Sequence, residues 1–116
     1  MGVEKHYRLD YLKSVSGGDE SFILDMLVTF ISNVPEELNK IKGFVNQKNW
    51  NKAGQTAHKF ASNLLFLEIE ELKSIAIEIE ENGINETNID KIPRLVQDLE
   101  NGCNQIIDEL KRDFNV

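Results

Sequence analysis

His58 is the residue of this sequence best suited to chemistry. It is one of two histidines in 116 residues, and it lies in the segment QTAHKFASNLLFLEIEEL. A neutral imidazole nitrogen is available as a nucleophile near pH 7, and it attacks phosphorus without first losing a proton to a strong base. The first question is therefore whether the fold exposes this ring.

The helical pattern around His58 turns its side chain away from the core. We predict a third helix from Trp50 to Leu67, with an apolar stripe formed by Trp50, Ala53, Ala57, Phe60, Leu64 and Leu67. At about 100° per residue, His58 projects about 130° from the centre of that stripe. The sequence therefore predicts an exposed imidazole rather than a core histidine bonded to a backbone carbonyl.

The helical neighbours of His58 are small. Residues three and four positions away are neighbours on a helix surface, and here they are Gly54, Gln55, Ala61 and Ser62. A glycine inside a helix costs about 1 kcal/mol relative to alanine, and we interpret Gly54 as giving a partner protein access to the ring. The predicted docking residues are Asn51, Gly54, Ala61 and Leu65.

The charges are distributed unevenly. The chain has a net charge of −7, yet the segment from Leu38 to Leu67, called the basic segment below, contains no Asp or Glu. Its five lysines are Lys40, Lys42, Lys48, Lys52 and Lys59. An exposed histidine in a segment without carboxylates predicts an anion site, with phosphate as the natural anion and Lys52 and Lys59 within side-chain reach of it.

The apolar spacing is helical nearly everywhere and predicts an all-α fold. A short helix covers Leu9 to Lys13 and ends near Gly17 and Gly18, and Asp19 caps the next. That second helix continues through Pro35, with a bend, to Asn46, and Asn49 caps the third. The fourth helix contains Ile69, Leu72, Ala76 and Ile79 and ends near Asn82 and Gly83. The last helix has Pro93 in its first turn. Together they predict an antiparallel four-helix bundle with a short N-terminal helix.

Composition excludes several classes of function. The length of 116 residues predicts one domain, residues 1–116. The acidic charge disfavours nucleic acid and anionic membranes as partners, and no apolar run is long enough to span a membrane. One cysteine and no zinc-type spacing of Cys and His fit a reducing cytoplasm. We expect a free-standing monomer, because Met1 is present, no linker is visible, and the bundle uses all apolar stripes.

The whole chain resembles the histidine-containing phosphotransfer (HPt) domains of multistep phosphorelays. AHKF resembles the Ala-His-x-Leu motif of the family. NWNKAGQTAHKF resembles the segment that leads to its active histidine. The N-terminal half of the family is similar to LDYLKSVSGGDESFILDMLVTFISNVPEELNKI, and its next helix to LEIEELKSIAIEIEENG.

This resemblance implies that His58 accepts a phosphoryl group from an aspartyl phosphate on one receiver domain and passes it to another. The implied partners are receiver domains of response regulators and of hybrid histidine kinases. The chain would be a phosphoryl carrier without turnover of its own. It would need no cofactor of its own, because the receiver supplies Mg²⁺.

Two positions depart from the family pattern. Ala61 stands where the family usually has a lysine that holds the phosphoryl group, and Ser62 stands where it usually has glycine. We expect Lys52, Gln55, Lys59 and Ser62 to hold the phosphoryl group instead. Glu68 stands where the family commonly has a glycine that ends the helix, so this end is expected to differ. Phe66 is expected to be exposed.

Two alternatives remain open. The first is a domain of the same fold that docks receivers or kinases without carrying phosphate. The second is a di-metal bundle enzyme, for which Glu-x-x-His spacing is absent, so the acids of the fourth helix are interpreted as a solvated face. His6 is expected to be a surface residue, and Cys103 a packing residue in the last helix.

Overall fold

The computed structural model describes residues 7–65 and 67–116. These residues form five α-helices and no strand: α1 Asp10–Ser16, α2 Glu20–Asn46, α3 Trp50–Leu65, α4 Glu70–Asn85 and α5 Ile92–Phe114. A single 3-10 turn, Ile89–Lys91, precedes α5. The all-α prediction is confirmed. His6 and Phe66, for which exposed positions were expected, lie outside the described residues.

The junction between α1 and α2 follows the predicted capping chemistry. Asp19 is the N-cap of α2, and its carboxylate accepts hydrogen bonds from the backbone N–H groups of Ser21 and Phe22. The left-handed Gly17 ends α1, with its N–H bonded to the carbonyl of Lys13. Helix α1 therefore extends to Ser16, three residues beyond the predicted end at Lys13.

Helix α2 runs through Pro35 without interruption, as predicted. The proline removes one backbone hydrogen bond at a cost of about 3 kcal/mol. Burial of each large apolar side chain contributes roughly 1.5–3 kcal/mol, which more than offsets that cost. The buried side chains of α2 are Ile23, Leu27, Phe30, Val34, Leu38 and Ile41. Phe22, near the start of α2, is 41% exposed.

Helix α3 begins as predicted and ends early. The Asn49 side chain accepts a hydrogen bond from the N–H of Lys52 at 3.3 Å, so Asn49 is the N-cap. The helix ends at Leu65 rather than at Leu67. Glu68 adopts the left-handed conformation with φ of 52°, the backbone geometry that glycine would supply at about 1–2 kcal/mol less strain. Leu67 is buried although it lies beyond the helix.

The last two helices match the sequence pattern with small shifts. Helix α4 extends to Asn85, two residues past the predicted end at Gly83, and Pro93 lies in the first turn of α5 as expected. Cys103 is fully buried, which confirms it as a packing residue. Burial, and to a smaller degree the charge of Glu100, raise the pKa of its thiol to about 12.

The helices pack as a bundle in which each long helix contacts two other long helices. Helix α3 packs against α2 and α4, α5 packs against α4 and α2, and α1 packs against α2. Their apolar faces form a single core cluster. This arrangement confirms the predicted bundle with a short N-terminal helix and places α3 at the surface between α2 and α4.

The bundle does not use all of the apolar surface, contrary to expectation. Large apolar side chains remain 40–54% exposed on α1 and α2, namely Tyr11, Val15, Phe22, Leu24 and Val28. The premise on which a monomer was predicted is therefore wrong. Among the helices that the structure describes, none has an apolar stretch long enough to cross a bilayer.

Candidate functional site

The side chain of His58 is 70% exposed on α3. The opposite side of this helix faces the core, where Ala57, Phe60 and Leu64 are all fully buried. The predicted outward orientation of the imidazole is confirmed. The ring is therefore open to a second protein, but it is not without a partner in its own chain.

A carboxylate of α4 contacts the imidazole. The Nδ1 atom of His58 lies 2.9 Å from one carboxylate oxygen of Glu80 and 3.0 Å from the other. The expectation that no acid lies near His58 is wrong. That expectation rested on distance along the chain, and antiparallel packing of α3 and α4 brings in an acid 22 residues away.

This contact assigns roles to the two ring nitrogens. An ionised carboxylate only accepts hydrogen bonds, so Nδ1 must carry the proton and donate it to Glu80. In the neutral ring the lone pair then belongs to Nε2, which has no hydrogen-bond partner within residues 7–65 and 67–116. The geometry thus leaves the Nε2 lone pair of His58 available to act as a nucleophile. A positive charge developing on the ring would be stabilised by Glu80.

The neighbours of His58 on α3 divide into two groups. Asn51, Gln55, Ser62 and Leu65 are exposed, as predicted, whereas Gly54 and Ala61 are buried. On a helical projection, Gly54 and Ala61 lie about 40–60° from His58 on the side of the core, and Gln55 and Ser62 lie as far away on the other side. The prediction that Gly54 and Ala61 are exposed docking residues beside His58 is therefore wrong.

The fold explains why a glycine occupies position 54 inside α3. A Cβ atom at this position would lie 2.9 Å from the carbonyl oxygen of Glu80 and 3.0 Å from the backbone nitrogen of Ile84. Both distances are shorter than ordinary van der Waals contact. The cost of a glycine in α3 is therefore offset by close packing against α4, and not by access for a partner.

The four residues predicted to hold a phosphoryl group have different surroundings. Lys59 is exposed and forms no ion pair with any residue of the described ranges. The ammonium of Lys52 lies 5.9 Å from the centre of the Phe44 ring on α2. The Ser62 hydroxyl donates to the carbonyl of Lys59 at 2.6 Å. The Gln55 amide donates to the Asn51 side chain.

The basic segment is less free of acids than its sequence indicates. Lys40 forms an ion pair with Glu37 at 3.2 Å, and Lys42 with Glu100 at 2.9 Å. Of the two lysines predicted to hold the phosphoryl group, Lys59 is thus the one that is exposed, adjacent to His58 in sequence and without an ion-pair partner in the part of the chain described.

Three residues near His58 were missed by the sequence argument. Glu80 had been assigned to a solvated face, yet its side chain is only 23% exposed. On the same face of α4, Ile77 and Ile84 are 37% and 42% exposed, at three and four residues from Glu80. The sequence does carry one signal: each of these positions lies beside the buried stripe of Ala76, Ile79 and Gly83.

The described residues contain no group of three or more His, Cys, Asp or Glu side chains that could hold a metal ion. The di-metal interpretation therefore gains no support from the placement of the acids on α4. The site consists instead of one nucleophilic imidazole and one orienting carboxylate, with lysine and apolar side chains around them.

A protein-family model described as "Hpt domain" matches residues 25–112 of the chain. This range covers well over half of the chain and includes both His58 and Glu80. Neither the curated proteins nor the solved structures gave a significant match.

Proposed function

Because this chain belongs to the Hpt domain family, whose members carry out phosphotransfer in phosphorelays, we propose that His58 is its phosphoacceptor. On this proposal the phosphoryl group comes from an aspartyl phosphate of one receiver domain and leaves to the aspartate of another. The receivers belong to response regulators and hybrid histidine kinases. The chain acts as a carrier in the cytoplasm and has no turnover of its own.

The observation that carries the proposal is the contact between Nδ1 of His58 and Glu80 at 2.9 Å. The Nε2 lone pair attacks the phosphorus of the aspartyl phosphate, and a new N–P bond forms as the P–O bond to the donor aspartate breaks. The bonding electrons of that P–O bond leave with the donor carboxylate. Nδ1 keeps its proton throughout, and the carboxylate of Glu80 balances the positive charge of the phosphorylated ring.

The remaining chemistry is supplied by the partner. Phosphoryl transfer depends on alignment and on neutralisation of charge at the phosphoryl oxygens. Mg²⁺ and the acidic pocket of the receiver would supply most of that neutralisation. Lys59 is the residue of this chain best placed to add to it, whereas Lys52, Gln55 and Ser62 would each have to leave a contact described above.

A docking surface around His58 supports association with a receiver. Leu65 on α3 and Ile77 and Ile84 on α4 are 37–47% exposed. Exposed apolar side chains around a polar reactive group are typical of binding surfaces. Asn51 and Gln55 add polar contacts on the same face of α3. We propose that a receiver covers this surface and so excludes water from the transfer.

A phosphotransfer assay tests the proposal. Receiver domains labelled at their aspartate would be mixed with wild-type protein, with the His58→Gln variant and with the His6→Gln variant. Label that is acid-labile and alkali-stable should appear on wild type and on His6→Gln, and it should be absent from His58→Gln. Equal labelling of all three proteins would contradict the assignment of His58.

The alternative, docking without phosphate, is favoured by one observation. Ser62 uses its hydroxyl proton within α3, and Ala61 offers no charge where the family usually has lysine. If this alternative holds, receivers bind the wild type with measurable affinity while no label is transferred from any of them. Transfer to His58 from a single receiver would exclude it.

A further inference from the structure

Helices α3 and α4 touch through their backbones at one point. A Cβ atom on Gly83 would lie 2.5 Å from the carbonyl oxygen of Trp50 and 3.0 Å from both the Cα and the nitrogen of Gly54. A Cβ atom on Gly54 would meet the carbonyl oxygen of Glu80 at 2.9 Å. No side chain separates the two helices here. We call this the glycine contact.

The glycine contact lies one helical turn from the candidate site on both helices. Gly54 precedes His58 by four residues, and Gly83 follows Glu80 by three. Since α3 and α4 are antiparallel, the same crossing that brings the two glycines together brings the imidazole and the carboxylate together. The peptide group of Glu80 is itself one of the surfaces that Gly54 touches.

We propose that Gly54 and Gly83 are positioning residues, which set the separation of α3 and α4 so that Glu80 holds the proton of His58 on Nδ1. The inference rests on the proposed role of His58, because the consequence of this placement is a free lone pair on Nε2. It assigns a task in the chemistry to two residues that touch neither the imidazole nor a phosphoryl group.

The physical reason is that a methyl group at either position exceeds the space between the helices. Contacts of a Cβ with backbone atoms at 2.5–3.0 Å must lengthen toward ordinary van der Waals distance, and backbone cannot move aside as a side chain can. Separation of the helices by a few tenths of an ångström or more would carry Glu80 away from Nδ1. A contact of 2.9 Å then becomes longer and weaker.

Two other glycines provide matched controls. A Cβ on Gly102 of α5 would first meet side-chain atoms of Leu72 on α4, which can move aside, so Gly102→Ala adds a methyl against α4 without forcing two backbones apart. A Cβ on Gly43 of α2 would meet nothing within 4 Å. Gly43→Ala therefore reports the effect of an added helix-favouring methyl without overpacking.

The test reads the His58 ring directly, by ¹⁵N NMR of imidazole nitrogens in the absence of any phosphoryl donor. Wild type, Gly43→Ala and Gly102→Ala should show mainly the neutral tautomer with the proton on Nδ1. Gly54→Ala and Gly83→Ala should show a mixture of tautomers. With phosphoramidate, whose P–N bond breaks to release ammonia, they should also be labelled about 2- to 10-fold more slowly, the range for one hydrogen bond.

If Gly54→Ala keeps the wild-type tautomer and labelling rate while its melting temperature falls, the glycine contact is merely structural and the proposal is wrong. Gly54→Ala is the deciding variant because its contacts are the less severe, and trimethylamine N-oxide would keep it folded. The proposed function fails in a different way, when wild type with an intact Nδ1–H tautomer accepts no phosphoryl group.

Discussion

The imidazole of His58 and the thiol of Cys103 are both potential nucleophiles, and one is exposed while the other is buried. The imidazole of His58 is 70% exposed on α3 and has a carboxylate at 2.9 Å. The thiol of Cys103 is fully buried in α5, and burial is the main cause that raises its pKa to about 12. The thiol is therefore kept protonated and inaccessible, whereas the imidazole is accessible to a partner.

The difference teaches that placement decides reactivity here more than residue type. A thiolate is the stronger nucleophile, but a thiol packed among apolar side chains neither ionises nor meets a substrate. An imidazole needs no ionisation, so it can react from an exposed helix if one nitrogen is fixed as donor.

The largest difference in phosphorylation is expected between a variant that lacks the imidazole and a variant that lacks the thiol. His58→Gln should lose all phosphorylation by a labelled receiver, while Cys103→Ala should be labelled at the wild-type rate even though the cavity lowers its melting temperature. Labelling and thermal melting would be measured on both variants. Loss of labelling in folded Cys103→Ala would contradict the contrast.

Removal of the orienting carboxylate should have the next largest effect. A charge-assisted hydrogen bond contributes about 1.5–3 kcal/mol, so Glu80→Ala should slow phosphorylation roughly 10- to 150-fold. Glu80→Gln should retain more of the rate, since its amide oxygen still accepts from Nδ1. Glu81→Ala, which removes an exposed neighbouring acid, is the matched control and should behave as wild type. Rapid-quench labelling measures all four rates, and an unaffected Glu80→Ala would remove Glu80 from the mechanism.

A smaller effect is expected at the docking surface. Ile84→Ala removes part of a side chain that is 42% exposed beside Glu80, and loss of about 1 kcal/mol of apolar burial would weaken receiver binding about fivefold. Val28→Ala, at a side chain 48% exposed on α2, serves as the comparison. Titration calorimetry with a receiver domain would distinguish them. Equal affinities of Ile84→Ala and wild type for the receiver would show that Ile84 is not part of the docking surface.

The last effect concerns the stability of the fold rather than phosphotransfer, and it appears only at alkaline pH. The folded-state pKa of Cys103 is raised from 9.0 to about 12, mainly by burial. Between these two values the unfolded chain loses a proton that the folded chain keeps. Stability is therefore full below about pH 9 and falls as pH rises, by at most about 1.4 kcal/mol per pH unit for this group.

Urea unfolding of wild type and Cys103→Ala would measure the free energy of unfolding between pH 8 and pH 11, in steps of roughly half a pH unit. The alanine variant should lose less stability over this range than wild type. Tyr7 adds a decline of its own that both proteins share, because burial, followed by its hydrogen bond to Asp113, raises the pKa of that phenol as well. Parallel curves for the two proteins would show that the thiol makes no contribution.

Much of the fold follows from local sequence. The caps at Asp19 and Asn49, the passage of α2 through Pro35 and the burial of Cys103 depend on contacts or periodicities within a few residues. Errors arose at helix ends, where Ser16, Leu65 and Asn85 depart from the predicted limits by two or three residues. Ends depend on backbone conformations such as the left-handed Glu68, which its side chain does not favour.

The candidate site was predictable only in part. The exposure of His58 follows from helical phase alone. The contact with Glu80 requires the register of α3 against α4, and the sequence of one helix does not contain it. The misassignment of Gly54 has the same origin, because a glycine at a helix crossing and a glycine at a docking surface are identical in sequence. The sequence did carry one signal of the packing role of Gly54, because helical phase places Gly54 between His58 and the core.

The central claim is that His58 carries a phosphoryl group on Nε2, and ³¹P NMR of the protein after reaction with a phosphorylated receiver tests it most directly. The account predicts one phosphohistidine resonance, correlated to the ring protons of His58 and assigned to Nε2, which disappears in His58→Gln. A resonance assigned to Nδ1, or phosphorylation at any residue other than His58, would contradict it.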